Sequence, residues 1–355
     1  MSEQVPGLKL DTLLPWFREH VAPVDRLSAR VIGHGRSNIT YRLDADGGQW
    51  VLRRPPLSHV LPTAHDMKRE FRILSALERT EVPVPRPIAY CEDPAVNDRP
   101  FYVMEYVPGL VPVDRAEVER RFDEGQRRRI GEQLVDILVS LHALDYHAVG
   151  LGDFGKPEGY ITRQVRRFSD QLAQIRKREI PELDELARRL AASLPESADA
   201  TIVHGDFRLD NSILSDDGRI VAVLDWEMAT LGDPLADVGL LMMYWPDRDG
   251  DQGAAGPAVG STSVMTLPGF PSRAEAAARY AERSGRDLAH LDFYTALAHF
   301  KLAVILENMH QRFLAGGTVG VGFETIGDQV IVLARAGLAL ADRSSIPALR
   351  RASRA

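Results

Sequence analysis

The sequence predicts an α+β protein in two parts, a β-rich N-terminal lobe over residues 1–107 and a mainly helical C-terminal lobe over residues 108–355. Three observations predict it. Before Pro108-Gly109, short runs of β-branched and aromatic residues alternate with glycine turns, the mark of strands. After that point apolar residues recur at helical spacing over long stretches. Near residues 201–224 the helical pattern is interrupted by short apolar runs, a small β insert within the helical part. Ligands commonly bind in the cleft that such an arrangement leaves between lobes.

In order, residues 11–20 predict a leading helix, and 27–32, 39–43 and 50–53 predict strands. Asp44-Ala-Asp-Gly-Gly48 joins the last two as a hairpin, since glycine after aspartate supplies the backbone a tight turn needs. Met67, Phe71, Leu74 and Leu77 recur at helical spacing within 64–77. Pro83, Pro85 and Pro87 then force extended chain, leading to strands at 88–91 and 101–105. Beyond Gly109, residues 126–144 carry one apolar stripe of Ile130, Leu134, Ile137, Leu138 and Leu141, and so predict an amphipathic helix. Further helices are expected at 160–176, 183–194, 234–244, 273–284, 288–313 and 323–340. The insert contributes strands at 201–203, 213–214 and 220–224, the last two joined by a turn at Asp216-Asp-Gly218. Two segments read as irregular: 247–272, rich in Gly, Pro, Ser and Asp, resembles a long loop of the kind that covers a site. Residues 347–355 read as a frayed basic tail.

Composition excludes several classes. With 45% hydrophobic and 26% charged residues the chain is an ordinary globular sequence. Its formal charge of −7 argues against nucleic acid, whose phosphates need a basic surface. The N-terminus lacks the charged and apolar regions of a signal peptide. The longest apolar stretch, 296–306, contains His299 and Lys301 and is too short to span a bilayer. Cys91 is the single cysteine, so no internal disulfide exists, as in a reducing cytosol. A cytoplasmic protein without a membrane partner is expected.

The chemistry concentrates in His204-Gly-Asp-Phe-Arg-Leu-Asp-Asn211 and in Leu224-Asp225-Trp226. Phosphoryl transfer needs a phosphate held in line with an acceptor hydroxyl, and its charge neutralised by cations. Asp206 and Asn211, five residues apart with Arg208 between them, suit that task on a tight loop leaving a strand. The carboxylate turns to the acceptor and the amide oxygen to Mg²⁺, which favours hard oxygen ligands. Asp225, at the end of an apolar strand, is placed as a second metal ligand. His204 fits a brace for the loop. Each residue alone also suits a turn or cap, as Asp210 does; the combination points to chemistry.

These segments, with Val223-Leu-Asp-Trp-Glu227 and Leu231-Gly-Asp-Pro-Leu-Ala-Asp237, resemble the aminoglycoside phosphotransferase/choline kinase family. Within it they resemble the branch related to the kinase-like domain fused to some acyl-CoA dehydrogenases. The resemblance runs from about Val31 to Leu314. It implies a protein-kinase-like two-lobed fold and transfer of the ATP γ-phosphate to a hydroxyl of a small molecule. It also implies Asp206 as catalytic base or acceptor-orienting residue, with Arg208 beside it, and Asn211 and Asp225 as Mg²⁺ ligands. Asp233 fits a helix N-cap, and Asp237 a brace for the catalytic loop.

In the N-terminal lobe, Ile32-Gly-His-Gly-Arg-Ser-Asn38 lies between two strands. Gly33 and Gly35 would let backbone approach the ATP phosphates, and Ser37 or Asn38 would donate to them; an ordinary β-turn would read the same. Arg53, or else Arg54, stands where protein kinases carry a phosphate-binding lysine, and Glu70 is its ion-pair partner. Backbone at Glu105, Tyr106 and Val107 would meet the adenine. The acceptor stays open between a hydroxylated metabolite, such as a hydroxyacyl thioester, and an aminoglycoside. Lys301, Glu307 and Arg312 face either that acceptor or solvent. An alternative is a nucleotide-binding pseudokinase, suggested by arginine at position 53. A metal-dependent phosphoesterase would need more His and Asp ligands than lie nearby.

Overall fold

The computed structural model describes residues 5–32, 38–57, 66–196, 199–246, 262–316 and 324–350. The leading helix α1 (Leu10–His20) is followed by β1 (Ser28–Val31), β2 (Ile39–Ala45), β3 (Gly48–Arg54), α2 (Met67–Leu77), β4 (Pro87–Cys91) and β5 (Phe101–Glu105). The five strands form one antiparallel sheet in the order β1-β2-β3-β5-β4. Ala45 pairs with Gly48, leaving Asp46-Gly47 as the predicted two-residue hairpin turn. Alternation along β3 divides its side chains between two layers. Leu52 joins Phe17, Tyr41, Phe101 and Val103 in a small core with α1. Val51 joins Met67, Ile73, Tyr102 and Met104 in a core that continues into the helical part.

The rest of the chain contributes α3 (Arg115–Arg121), α4 (Glu124–Ala143), α5 (Tyr160–Ile175), α6 (Pro181–Ala192), β6 (Thr201–Val203), β7 (Ser212–Leu214), β8 (Ile220–Val223) and β9 (Thr230–Gly232). Then come α7 (Leu235–Tyr244), α8 (Thr262–Met265), α9 (Arg273–Ser284), α10 (Leu291–Leu314), α11 (Ile326–Arg343) and α12 (Pro347–Arg350). Helix α4 begins at a capping box: Gln126 N–H donates to Asp123 Oδ1 at 2.7 Å and Asp123 N–H to Gln126 Oε1 at 2.8 Å. Helix α7 lies against α10 where Gly239 allows it. A Cβ there would sit 2.5 Å from the backbone carbonyl carbon of Tyr294, so this close approach requires glycine.

Besides adding helix α3, which no predicted element anticipates, the structure amends the sequence reading in three places. The β insert is two separate ladders, β7 with β8 and β6 with β9; the strand β9 has no counterpart among the predicted elements. Of the expected loop 247–272, residues 247–261 lie outside the described ones. Its later part is packed, however, with Val264, Met265, Leu267 and Phe270 buried, because those apolar side chains have a core to enter. Residues 347–350 of the expected frayed tail form α12, anchored by fully buried Leu349.

Candidate active site

The loop after β6 is fastened from below by one carboxylate. Asp237, on the first turn of α7, accepts from His204 N–H at 2.6 Å and Gly205 N–H at 2.8 Å, with His142 Nε2 at 3.4 Å. Burial works to raise its pKa, but the hydrogen bonds and charges of His142 and His204 outweigh it and hold the carboxyl below its usual range. Gly205 has φ +86°, and a Cβ on it would meet Met228 Cβ at 2.8 Å. The motif therefore needs glycine between His204 and Asp206. The His204 ring is fully buried and bridges the loop to the next segment. Its Nδ1 accepts from Asp206 N–H at 3.2 Å and its Nε2 donates to Leu224 O at 2.9 Å, which sets the Nε2–H tautomer. The bracing role expected of His204 and Asp237 is visible in these bonds.

Asp206 is held by Asn211, whose Nδ2 donates to its backbone O and to its Oδ2, both at 2.9 Å. Arg208 Nε lies 3.3 Å from Asp206 Oδ1, an ion contact rather than an aligned hydrogen bond, and Arg208 Nη1 lies 3.0 Å from Asp210. Burial raises the Asp206 pKa against the opposing pull of Arg208, His204 and Asn211. A carboxylate so desolvated is a stronger proton acceptor than one in water.

A second cluster joins the sheet to the helical part. Arg53 Nε is 3.0 Å from Glu70 Oε2, and Arg53 Nη2 is 2.5 Å from Asp225 Oδ1 and 3.7 Å from Glu227 Oε2. Burial opposes the guanidinium charge, but Glu70, Tyr102 and Asp225 more than restore it, raising its pKa. Glu70 also accepts from Asn38 Nδ2 at 2.7 Å and from Tyr102 O–H at 2.9 Å. Asn38 reaches Glu227 as well, at 3.0 Å. Burial pushes Glu70 up to about 7, despite Arg53 beside it.

Strand alternation puts Arg53 and Arg54 on opposite faces of the sheet. Arg53 pairs in register with Tyr102 and shares its face towards α2. Arg54 points to the other face, where it is buried against Asp98 at 3.0 Å and the carbonyl of Gly7. Sequence reasoning passed over Tyr102 and Glu227. Tyr102 sits inside an apolar strand and only sheet register reveals it; Glu227 follows Asp225 by two residues and carried a signal in that proximity.

Of the other expected nucleotide contacts, Gly33, Gly35 and Ser37 lie outside the described residues. Glu105 closes β5 by exchanging bonds with Arg86, N–H to O at 2.9 Å and Oε1 from N–H at 3.1 Å. Tyr106 follows, with the Arg42 guanidinium 4.5 Å from its ring centre, and Val107 leads into the connector. A depression of about 530 Å³ bounded by Asp44, Gln49, Tyr106 and Pro108 flanks this connector; no residue of the Asp206 cluster lines it. Asp233 accepts from Leu235 N–H at 2.9 Å and from Tyr294 O–H at 2.7 Å. It thus caps the start of α7 from one residue earlier than the cap position, which Pro234 occupies. His142 sits buried between Asp237 and Tyr280 O–H, the latter at 2.7 Å.

The residues present fit Mg²⁺. Both N–H bonds of the Asn211 amide go to Asp206, which turns its oxygen away from that carboxylate. Leu224 N–H donates to Asn211 O at 2.8 Å, tying Asn211 to the residue before Asp225. Among the described residues no three His, Cys, Asp or Glu side chains gather into a metal cage. Two oxygen donors without a cage match a cation that takes few protein ligands and completes its shell with phosphates and water.

One prediction arises from the Arg53 cluster. Arg53→Met removes the main counter-charge of buried Glu70 and is expected to destabilise the fold by about 3 kcal/mol at pH 8. At pH 6 the loss should be smaller, because Glu70, with a folded pKa near 7, is then mostly neutral in both proteins. The sign for the parent protein is the same: this raised carboxyl contributes most below its unfolded pKa, and that contribution is lost as pH rises through about 7. Urea denaturation at the two pH values checks this; equal losses at both would refute the assignment.

A β-sheet N-terminal part joined to a helical C-terminal part is the kinase-like fold of phosphotransferases. The chain belongs to the phosphotransferase enzyme family, whose model matches residues 28–297. It is 34% identical to acyl-CoA dehydrogenase family member 11 of Gallus gallus, over 95% of this chain and 43% of that protein. Over 80% of its length it is 36% identical to acyl-CoA dehydrogenase family member 10 of Mus musculus, covering 26% of it. The chain thus spans less than half the length of these relatives. Among solved structures, a putative aminoglycoside phosphotransferase from Ralstonia eutropha is 33% identical, with a TM-score of 0.80 over 95% of this chain and 99% of the other. A spectinomycin phosphotransferase solved with ADP and spectinomycin shares the fold at a TM-score of 0.59 and 11% identity, over 95% and 99% of the two chains. No helix among the described residues is long and apolar enough to cross a membrane.

Proposed function

We propose that this protein transfers the γ-phosphate of ATP to a hydroxyl of a small molecule. The observation that carries the reading is Asp206. It is a desolvated carboxylate fixed by Asn211, on a loop whose backbone N–H groups are clamped by Asp237. Asp206 takes the hydroxyl proton as the acceptor oxygen bonds to phosphorus and the bond to the leaving ADP breaks. Arg208 holds the Asp206 carboxylate in place and offers positive charge beside it. Asn211 and Asp225 hold Mg²⁺, which when bound neutralises phosphate charge. Arg53, kept in position by Glu70, presents its planar fork to the nucleotide phosphates. The amide of Asn38, expected to donate to those phosphates, instead donates to Glu70 and Glu227; Gly33, Gly35 and Ser37 keep that role in the proposal, and backbone at Glu105, Tyr106 and Val107 receives the adenine. Residues 1–107 then serve as the nucleotide-covering lobe and 108–355 as the lobe holding loop, metal and acceptor. With its one cysteine, Cys91, buried, the protein suits a reducing cytoplasm.

The relatives' names support this reading for the donor and leave two acceptor classes, an aminoglycoside or a hydroxylated metabolite such as a hydroxyacyl thioester. The test is ADP release from ATP in the presence of hydroxyl acceptors, with and without chelator. We expect release that depends on both Mg²⁺ and acceptor, abolished by EDTA and restored by excess Mg²⁺. Nucleotide binding without turnover across a broad acceptor panel would instead establish a pseudokinase.

A further inference from the structure

Three cations of the helical part lie against aromatic rings. Arg208, beside Asp206, lies 5.2 Å from the ring centre of Tyr244. Lys301 Nζ lies 5.5 Å from the ring centre of Phe168, and the Arg167 guanidinium 5.7 Å from the same ring. Tyr244 and Phe168 belong to the same apolar cluster, to which α5, α7 and α10 contribute together with α6, α11 and α12. Lys301 is the unusual member. Among the described residues its ammonium has no carboxylate within ion-pair distance, although the side chain is half-buried and feels the charges of Asp237 and Asp206. Partial burial of an ammonium without a counter-charge is costly, and such groups gather at functional sites.

The carboxylates nearby are already engaged. Glu307, two turns further along α10, is buried and paired with Arg178 at 2.6 Å. Asp237 serves His204 and Gly205, and Asp233 serves Tyr294 and Leu235. A cationic acceptor would need acidic groups to receive its amines, and among the described residues Glu307, Asp237 and Asp233 are engaged within the fold. Arg208 already has Asp206 and Asp210 as partners, whereas Lys301 rests on an aromatic face, an arrangement that suits an anionic ligand.

We propose that the acceptor bears an anionic group, a carboxylate or a phosphate, and that Lys301 binds it, with Arg167 and Arg208 adding charge. This rests on the phosphotransferase reading for the role of the hydroxyl, and it names the class of molecule that carries it. Lys301 is then a specificity-determining residue, and the anion anchors the acceptor while its hydroxyl meets Asp206.

Three compounds alike in shape and different in charge test it: 3-hydroxybutyrate, butane-1,3-diol and 4-aminobutan-2-ol, with glycerol 3-phosphate as the phosphate counterpart of the first. The full chain is titrated with each by calorimetry under saturating ADP and Mg²⁺, and assayed for phosphate transfer from ATP. We expect binding of at least one anion and weaker or no binding of diol and amine. Lys301→Met should weaken anion binding at least about tenfold, with kcat changed far less than KM, and Lys301→Arg should recover most of it. Which anion binds more tightly tells carboxylate from phosphate. Equal binding of diol or amine, no anion binding, or unchanged affinity in a folded Lys301→Met protein would overturn the proposal. Anion binding that needs Lys301, without phosphate transfer to any acceptor, would uphold the anion site and refute the phosphotransferase reading.

Discussion

Asp206→Ala is expected to lower kcat for phosphate transfer by about 10²–10⁴-fold, the usual contribution of a positioned base. The melting temperature should stay within a few degrees of the parent. The two effects separate because of how the loop is built. The Asp206 backbone is held by N–H donation to His204 Nδ1 and by its carbonyl accepting from Asn211, and neither bond uses the side chain. The removed carboxylate is desolvated and repelled by Asp225, so its loss relieves one cost while freeing Arg208 of a partner. ADP release measured at saturating acceptor, beside a thermal melt of the same sample, decides the matter. Turnover within a few-fold of the parent sinks Asp206 as the base. Asp206→Asn, which keeps the shape and removes the proton-accepting charge, should be as inactive as alanine.

Asp237→Ala is expected to do the opposite, unfolding the loop and weakening the whole protein. Its carboxylate is almost fully buried and serves two backbone N–H groups and His142. Each buried N–H left without an acceptor costs about 1–3 kcal/mol, so a total near 4 kcal/mol and a fall in melting temperature on the order of 10 °C follow. Activity should drop as well, since His204 and Gly205 set where Asp206 stands and small misplacements cost about 10²-fold. Because the folded carboxyl lies below its usual range, its stabilising share is present at neutral pH and lost on acidification through that lowered value. The parent should therefore lose stability in acid, and Asp237→Ala should lose less of what remains. A melting temperature unchanged by the substitution would show that the clamp carries little of the fold.

Both expectations concern residues that the sequence displayed plainly, and other parts were less legible for physical reasons. Long helices such as α4 and α10 announce themselves by period, and β3 and β5 by their β-branched and aromatic content. Strand β9 is three residues ending in glycine and becomes a strand only by pairing with β6, a partner nearly thirty residues away. Helix α3 has one buried residue, Val118, so there is little periodicity to read, although Asp114 caps it by accepting from Ala116 and Glu117 N–H groups. The buried side chains at 264–270 were obscured by the Gly- and Pro-rich composition that precedes them. In the site, Asp206, Asn211 and Asp225 stood out because their spacing is fixed by a local loop. Tyr102 and the environment of Lys301 depend on register and helix packing, which local sequence does not encode, whereas Glu227 lies two residues from Asp225.

Asp225 carries a consequence for which residues this chain can afford at its centre. It has φ +65°, the only non-glycine residue with positive φ among the described ones. Most side chains resist that left-handed backbone; Asp, Asn and Gly adopt it most readily. In the proposed function the position also offers a side-chain oxygen to Mg²⁺, which glycine lacks. Conformation and chemistry thus leave two admissible residues, and they differ only in charge. Asparagine keeps the turn and the oxygen while removing the charge that holds Arg53, whereas alanine disturbs all three at once. The genetic route out of activity at this position is short, and the route to an equivalent active sequence is nearly closed.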